Sequence, residues 1–398
     1  MCWRRRVADR LKIGLAFQVN TYTGWGVVGL NIALELAAMP DVDLSLWSAD
    51  LTGVSPLELS RLLPIAQRCQ RELQEAQRTR TPIAFDGVLV SADGNQCTGP
   101  RPDSVIQATK HMGLMVFEDT ALTPEKLERL KRYDWLVTAS RWNHDVLASH
   151  GVSSHLVPQG IDPTIWHPAP KSGRWNDRFV VFSGGKLEYR KGQDIVLAAF
   201  KMFHVKHLEA LLVTSWQNQW PALAIDMTLN GHVEHEPVVT SDGVDIEGWC
   251  VDNGIPEGAH IELGMVPNAL LAPIVREADV AVFASRAEGG TNLGAMECLA
   301  AGVPTLFSDN TGHRDLPGWR INQRGQPRQP TRFFDGVEGW GESDPLHLVE
   351  RLEWWLEDSR KKHAGKWLGS LRESSHHWQH HTNQLVTLIR TNDASAAA

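Results

Sequence analysis

The chain of 398 residues predicts an α/β protein built from two Rossmann-like, doubly wound domains that face a cleft. Three observations carry this. Short apolar runs alternate with helical patterns through the first 160 residues, a polar stretch bearing Pro163, Pro168 and Pro170 interrupts them, and the alternation then restarts. The length suits two domains with a core each, and 42% hydrophobic with 22% charged residues is a globular composition.

The first run, residues 11–19, has strand length and is broken by Lys12 and Gly14, so it is not a signal-peptide core. A helix is expected over 24–39, a strand at 43–48 and a long helix over 56–78. Strands at 84–91 and 104–117, a helix at 124–133, a strand at 134–140, a helix at 142–150 and a strand at 155–158 complete a doubly wound pattern. Residues 161–173 read as a connection between domains. Beyond it come strand 179–183, helix 193–203, strands 210–215 and 260–265, helix 268–278, strand 279–285, helix 292–301 and strand 305–308. Residues 220–252 break the alternation and read as a variable insertion. After Pro345 the chain is expected to be helical to Arg390, with a frayed tail over 391–398. The expected division is therefore 1–160, 161–372, and 373–398 as a helix that packs back on the first domain, with its tail.

A formal charge of −8, from 39 Lys+Arg against 47 Asp+Glu, argues against a general nucleic-acid binder. The five cysteines (Cys2, Cys69, Cys97, Cys250, Cys298) are odd in number and form no CxxC pair, so neither a disulfide framework nor a structural zinc site is expected. A reducing cytoplasm fits. No run approaches the roughly 18 apolar residues of a membrane span. The basic start, Trp3 with Arg4, Arg5 and Arg6, suits either a solvated terminus or peripheral contact with the inner face of a membrane.

The run from Ser285 to Pro304 says most about function. Glu288 follows a short apolar strand, the place where open α/β sheets bind ligands. Gly289, Gly290 and Thr291 lead through Asn292 and Leu293 into a helix whose first N–H groups lack intrahelical partners and can hold a phosphate. Glu297 lies among Leu293, Met296, Cys298 and Leu299, where a carboxylate needs a hydroxyl or a cation. A glutamate near a helix start is also favoured by the helix dipole alone. Together with the glycines, the pair reads as a nucleotide-sugar site.

A second cluster, Gly184-Gly185-Lys186-Leu187-Glu188-Tyr189-Arg190-Lys191-Gly192, brings Lys186 and Lys191 close enough to converge on a diphosphate, although a solvated basic loop has the same composition. A third, Asn20 to Gly29, spells GxGxxG with Gly24, Gly26 and Gly29. With Asp41, Asp43 and Asp50 downstream it suits either a dinucleotide fingerprint or a tight βα turn. A fourth ends in Glu118 and Asp119, placed to orient an acceptor hydroxyl or, with Thr120, to cap a helix. His376, His377, His380 and His381 give two pairs at i, i+4 spacing and read as a solvated face rather than a metal site, since no acidic or cysteine ligand stands beside them. No Ser/His/Asp order, HExxH, Walker A sequence or convincing Asp-x-Asp metal motif appears, so the expected chemistry uses no cofactor, metal ion or protein nucleophile.

These motifs together resemble the retaining GT-B glycosyltransferases of the family 4 type, most strongly from Val157 to His313. Pro158-Gln159-Gly160-Ile161-Asp162 is similar to that family's P-N-G-I-D. Gly185-Lys186-Leu187 with Lys191-Gly192 is similar to its G-R-L and K-G, and Ile261 to Val266 to its strand and turn beside the base. The resemblance implies that Gly185, Lys186 and Lys191 hold the diphosphate of a UDP- or GDP-sugar, with Val266 near the base. Glu288 and the Gly289–Leu293 turn would face the donor sugar, and Glu297 the ribose hydroxyls. Gly24 and Gly26 would approach the donor or acceptor. Tyr22, Trp25, His111 and Glu118 would meet a carbohydrate, lipid-linked or small acceptor, with Glu118 slightly preferred over His111 in place of the family's catalytic histidine. A leaving-phosphate oxygen would take the acceptor proton, so Glu288, Lys191, Lys186 and Glu118 form the implied catalytic set. Two departures stand out. Eight residues rather than seven separate the glutamates, and Lys186 replaces an arginine, keeping charge but losing bidentate binding. A nucleotide-sugar epimerase or hydrolase, and a non-catalytic nucleotide-sugar binding protein, are the competing readings.

Overall fold

The computed structural model describes residues 10–101, 104–217, 219–327, 332–360, 371 and 374–396. Two six-stranded sheets, every ladder parallel, organise the chain. The first holds β1 (Leu11–Leu15), β2 (Val42–Leu46), β3 (Ile83–Asp93), β4 (Ile106–Met115), β5 (Trp135–Thr138) and β6 (His155–Leu156), in the order β2-β1-β3-β4-β5-β6. Its helices are α1 (Gly24–Ala38), α2 (Pro56–Thr79), α3 (Pro124–Leu130) and α4 (Arg141–Ser149). Each begins at a side-chain cap: Thr23, Ser55, Thr123 or Ser140 accepts an N–H from the first turn, and Ser55 completes a capping box with Glu58.

The second sheet runs β11-β8-β7-β12-β13-β14, from β7 (Phe179–Gly184), β8 (Ala210–Ser215), β11 (His260–Glu262), β12 (Val280–Phe283), β13 (Thr305–Ser308) and β14 (Trp319–Ile321). Around it lie α5 (Gln193–Lys206), α7 (Asn268–Val275), α8 (Leu293–Ala300) and α9 (Pro345–Arg360). Strand order reverses between β1 and β3 in one sheet and between β7 and β12 in the other. Such reversals leave a crevice at the strands' carboxyl ends.

Residues 220–252 do break the alternation: β9 (Val238–Thr240) and β10 (Gly243–Asp245) form an antiparallel pair outside both six-stranded sheets that leads into α6 (Ile246–Asp252), and Trp249 packs on Trp216 in the core. The expected frayed tail continues instead as helix α10 (Trp378–Ala396). The histidines do not share a helical face, since His376 and His377 precede α10, and His381 is buried with its Nδ1 2.8 Å from the Pro158 carbonyl. Strand β14 escapes detection by apolar runs because Arg320 is its middle residue. The expected strand 260–265 stops at Glu262, whose carboxylate accepts the N–H groups of Trp216 and Gly264 in place of further pairing.

Apolar residues on both faces of each sheet form the cores. Trp378, Leu385, Val386 and Ile389 of α10 join the core of the first sheet, although the chain reaches them only after the second. Among the described residues no helix is long and apolar enough to cross a membrane. Trp3 and Arg4 to Arg6 lie outside the described residues.

Candidate functional site

The loops at the carboxyl ends of both sheets enclose a cleft of about 470 Å³. Of the expected residues, Tyr22, Gly24, Trp25 and Glu118 line it from the first sheet, and Gly185, Lys186, Lys191, Val266, Glu288, Gly290, Asn292, Leu293 and Glu297 from the second.

Glu288 is the centre of this wall. It is buried, and its carboxylate accepts from Lys191 Nζ (2.8 and 2.9 Å), Arg190 Nη1 (3.2 Å), Ser285 Oγ (2.6 Å) and Asn292 Nδ2 (3.0 Å). Burial alone would favour the neutral acid, but the Lys191 ammonium and the Arg190 guanidinium hold it well below the usual carboxylate range. Lys186 reaches Glu188 at 3.1 Å and lies over the Trp220 ring. Glu188 is itself lowered, as Arg190, Lys186 and Lys191 outweigh its burial.

Between the two glutamates the backbone takes a positive φ at Asn292, +69°. Its Oδ1 caps α8 by accepting from Ala295 N, while Nδ2 donates to Glu288 and to His313 Nε2 (3.2 Å). Burial pushes His313 down to about 4, so the ring is neutral and can accept that hydrogen bond. Glu297, also buried, receives Asn268 Nδ2 at 2.7 Å, and burial raises its carboxyl to about 8. Asn268 in turn donates its backbone N–H to the Thr21 carbonyl of the first sheet's loop (2.9 Å).

Gly26, Gly289, Thr291 and His111, all expected at the site, do not line the cleft. Gly26 packs on Asn20, where a Cβ would lie 2.0 Å from Oδ1. Gly29 is pressed equally close to the Gln18 carbonyl, and Asp50 is engaged by Asn20 (3.0 Å). The GxGxxG spelling therefore serves a tight βα turn. Gly289 lies against the Phe117 backbone, and Thr291 is buried with its hydroxyl on Met296. His111 is not brought to the cleft: it sits in β4 opposite Leu89, four residues before the strand ends, and its N–H donates to Asp134 (2.8 Å). Asp119 caps no helix, since Thr123 caps α3; it accepts instead from Ala121 N and Gly336 N and pairs with Lys126.

Sequence reasoning missed Arg190, Asn268 and His313. Arg190 stands within the lysine cluster, but nothing in its spacing separates it from a solvated basic residue. Asn268 and His313 reach the site only through chain packing. A separate buried network braces the wall. Arg286, stacked 3.9 Å over Tyr189, bonds Asp194 (2.6 Å) and Glu342 (2.7 Å), and its backbone N–H holds the Arg190 carbonyl (2.7 Å). Asp194, His232 and Glu342 are close enough to hold a metal ion, yet the Arg286 guanidinium already supplies their cation.

No protein-family model matches this chain, and no curated protein matches it in sequence. Comparison of folds defines the class: the two facing parallel-sheet domains are the GT-B architecture. Among solved structures, sucrose-phosphate synthase from Thermosynechococcus elongatus is similar over 97% of this chain and 100% of its own (TM-score 0.65, 14% identity). Anabaena HepE in complex with UDP and glucose is similar over 96% and 100% (TM-score 0.60, 12% identity). The trehalose 6-phosphate synthase of Burkholderia multivorans is similar over 98% and 100% (TM-score 0.59, 13% identity).

Proposed function

We propose that this protein is a glycosyltransferase of the family 4 type, which moves a hexose from a nucleoside-diphosphate sugar to a carbohydrate, lipid-linked or small acceptor with retention of configuration and without a metal ion. The observation that carries this reading is Glu288. It is an ionised buried carboxylate held by two cations in the crevice where the strand orders of both sheets reverse. Lys186 and Lys191 suit the diphosphate, on which negative charge grows as the sugar–phosphate bond breaks. Glu288 suits the donor hexose. Glu297, with its carboxyl raised by burial, suits hydroxyl groups of the ribose. Glu118 and the Tyr22–Trp25 turn suit the acceptor. The acceptor oxygen bonds to the anomeric carbon on the face the phosphate leaves, and its proton passes to the departing phosphate oxygen, so no protein base is required.

HepE, whose fold is similar, was solved with UDP and glucose, which makes UDP-hexoses the first donors to test. The test is a thermal-shift and turnover screen against UDP-, GDP-, ADP- and dTDP-sugars, with and without mixed acceptors. Stabilisation by one nucleotide with acceptor-dependent diphosphate release is expected, at a rate that EDTA leaves unchanged. Release at the same rate without an acceptor would replace the transferase with a hydrolase. Binding without turnover would leave a binding protein.

A further inference from the structure

The cations and carboxylates of the cleft wall are not paired one to one. Arg190 has a side chain only 5% exposed and is shared among three carboxylates. Nη2 and Nε reach Glu188 (3.1 and 3.4 Å), while Nη1 reaches the Ala287 carbonyl (2.7 Å), Glu288 (3.2 Å) and Glu118 Oε1 (3.4 Å). Glu188 and Glu288 belong to loops of the second sheet, but Glu118 lies in the loop that follows β4 of the first. The remaining charges nearby are engaged on the second-sheet side: Lys191 on Glu288, Lys186 on Glu188, with His313 neutral beside them. Among the described residues, Arg190 is the cation in contact with Glu118. Glu118 is otherwise held by neutral donors, Asn95 Nδ2 and Gly289 N (both 3.4 Å), while its carbonyl accepts from Trp340 Nε1 (2.9 Å).

We infer that Arg190 is a positioning residue, a latch across the seam between the two sheets that ties Glu118 to Glu288, so that closing the seam and ordering the donor pocket are one event. The inference rests on the donor reading given above. A guanidinium is required because its several N–H groups diverge to three carboxylates, which a single ammonium cannot span. If the seam opens, Glu118 leaves with the first sheet and Arg190 keeps only its second-sheet partners. A donor that needs the closed pocket therefore binds in proportion to the latched fraction.

The test uses the full chain with E118Q, R190M and the double variant, read by melting temperature without ligand and by calorimetric titration with UDP. E118Q keeps the shape of a side chain assigned to the acceptor side, so a group acting on the acceptor alone would leave UDP affinity as it was. The latch predicts a loss of about threefold or more. It also predicts that the double variant melts no lower than the worse single variant, since E118Q has no Arg190 contact left to lose once Arg190 is gone. Unchanged UDP affinity in E118Q, or melting losses that add, would overturn the latch. If the wild-type chain binds none of UDP, GDP, ADP or dTDP, the donor reading fails, and the latch is then judged by the melting coupling alone.

Discussion

Glu288 and Glu297 are carboxyl groups of one turn and its helix, both buried, and they differ in the charge they carry. Glu288 has two cations within hydrogen-bonding distance and stays ionised, whereas Glu297 has the neutral Asn268 amide and is pushed up to about 8. The folded value of Glu297 lies above its ordinary 4.5, so its stabilising contribution is complete below that ordinary value and is lost as pH rises through about 8. Glu297→Gln should therefore flatten the decline in melting temperature of the ligand-free protein between about pH 5 and about pH 9, gaining of order 1 kcal/mol on the wild type at the alkaline end. An unchanged slope would show that another group carries it. On the reading proposed above, Lys191→Ala should reduce turnover by about 2–4 kcal/mol of transition-state stabilisation, because it removes a cation suited to the leaving diphosphate. Arg190 still neutralises Glu288 in that variant, so single-turnover rates should fall while the melting temperature moves little.

Elements place these side chains by where they begin and end. In the step from β12 to α8, Asn292 adopts left-handed backbone while capping the helix and touching both Glu288 and His313. Asn292→Gly should lose the cap and both contacts but relax the backbone, whereas Asn292→Ala loses the same groups and keeps the strain. The alanine variant should then be the less stable by about 1 kcal/mol in denaturant titration, with turnover reduced in both. Most strands were legible as apolar runs bounded by glycine or polar residues, as in residues 279–285. The structured part of 220–252 was not, because β9 and β10 are three residues each and Val238, Val239 and Thr240 are exposed. Strands that short carry no burial pattern.

Among the described residues, contacts at the cleft and along α10 help join the whole molecule. At the cleft, Ser140 Oγ donates to the Gly289 carbonyl (2.6 Å) and the Phe117 backbone lies against Gly289. At the far end, α10 returns to α1 and buries Leu385, Val386 and Ile389 in the first sheet's core. Leu385→Ala should lower stability by about 2–4 kcal/mol through the cavity it leaves. A calorimetric transition that fails to shift would mean α10 is not part of that cooperative unit. The crossover also explains His381: its ring is drawn under Pro158 as the chain passes Ile161, whose N–H bonds the His376 carbonyl (2.8 Å). A helical spacing of histidines could not anticipate burial by a segment more than two hundred residues earlier.

What the sequence determined by itself is local: the alternation that makes two doubly wound sheets, the glycines that turn a strand into a helix, and the positions of Lys186, Lys191, Glu288 and Glu297 at strand ends or on the helix that follows. These are readable because side-chain periodicity and turn conformation depend on neighbours in the chain. Tertiary structure alone decided which of these groups are charged, that Arg190 joins Glu118 to Glu288, that Asn268 and His313 enter the site, and that His111 stays out of it. Ionisation and pairing follow from burial and from distances of a few ångströms, and those are set by the packing of segments far apart in sequence.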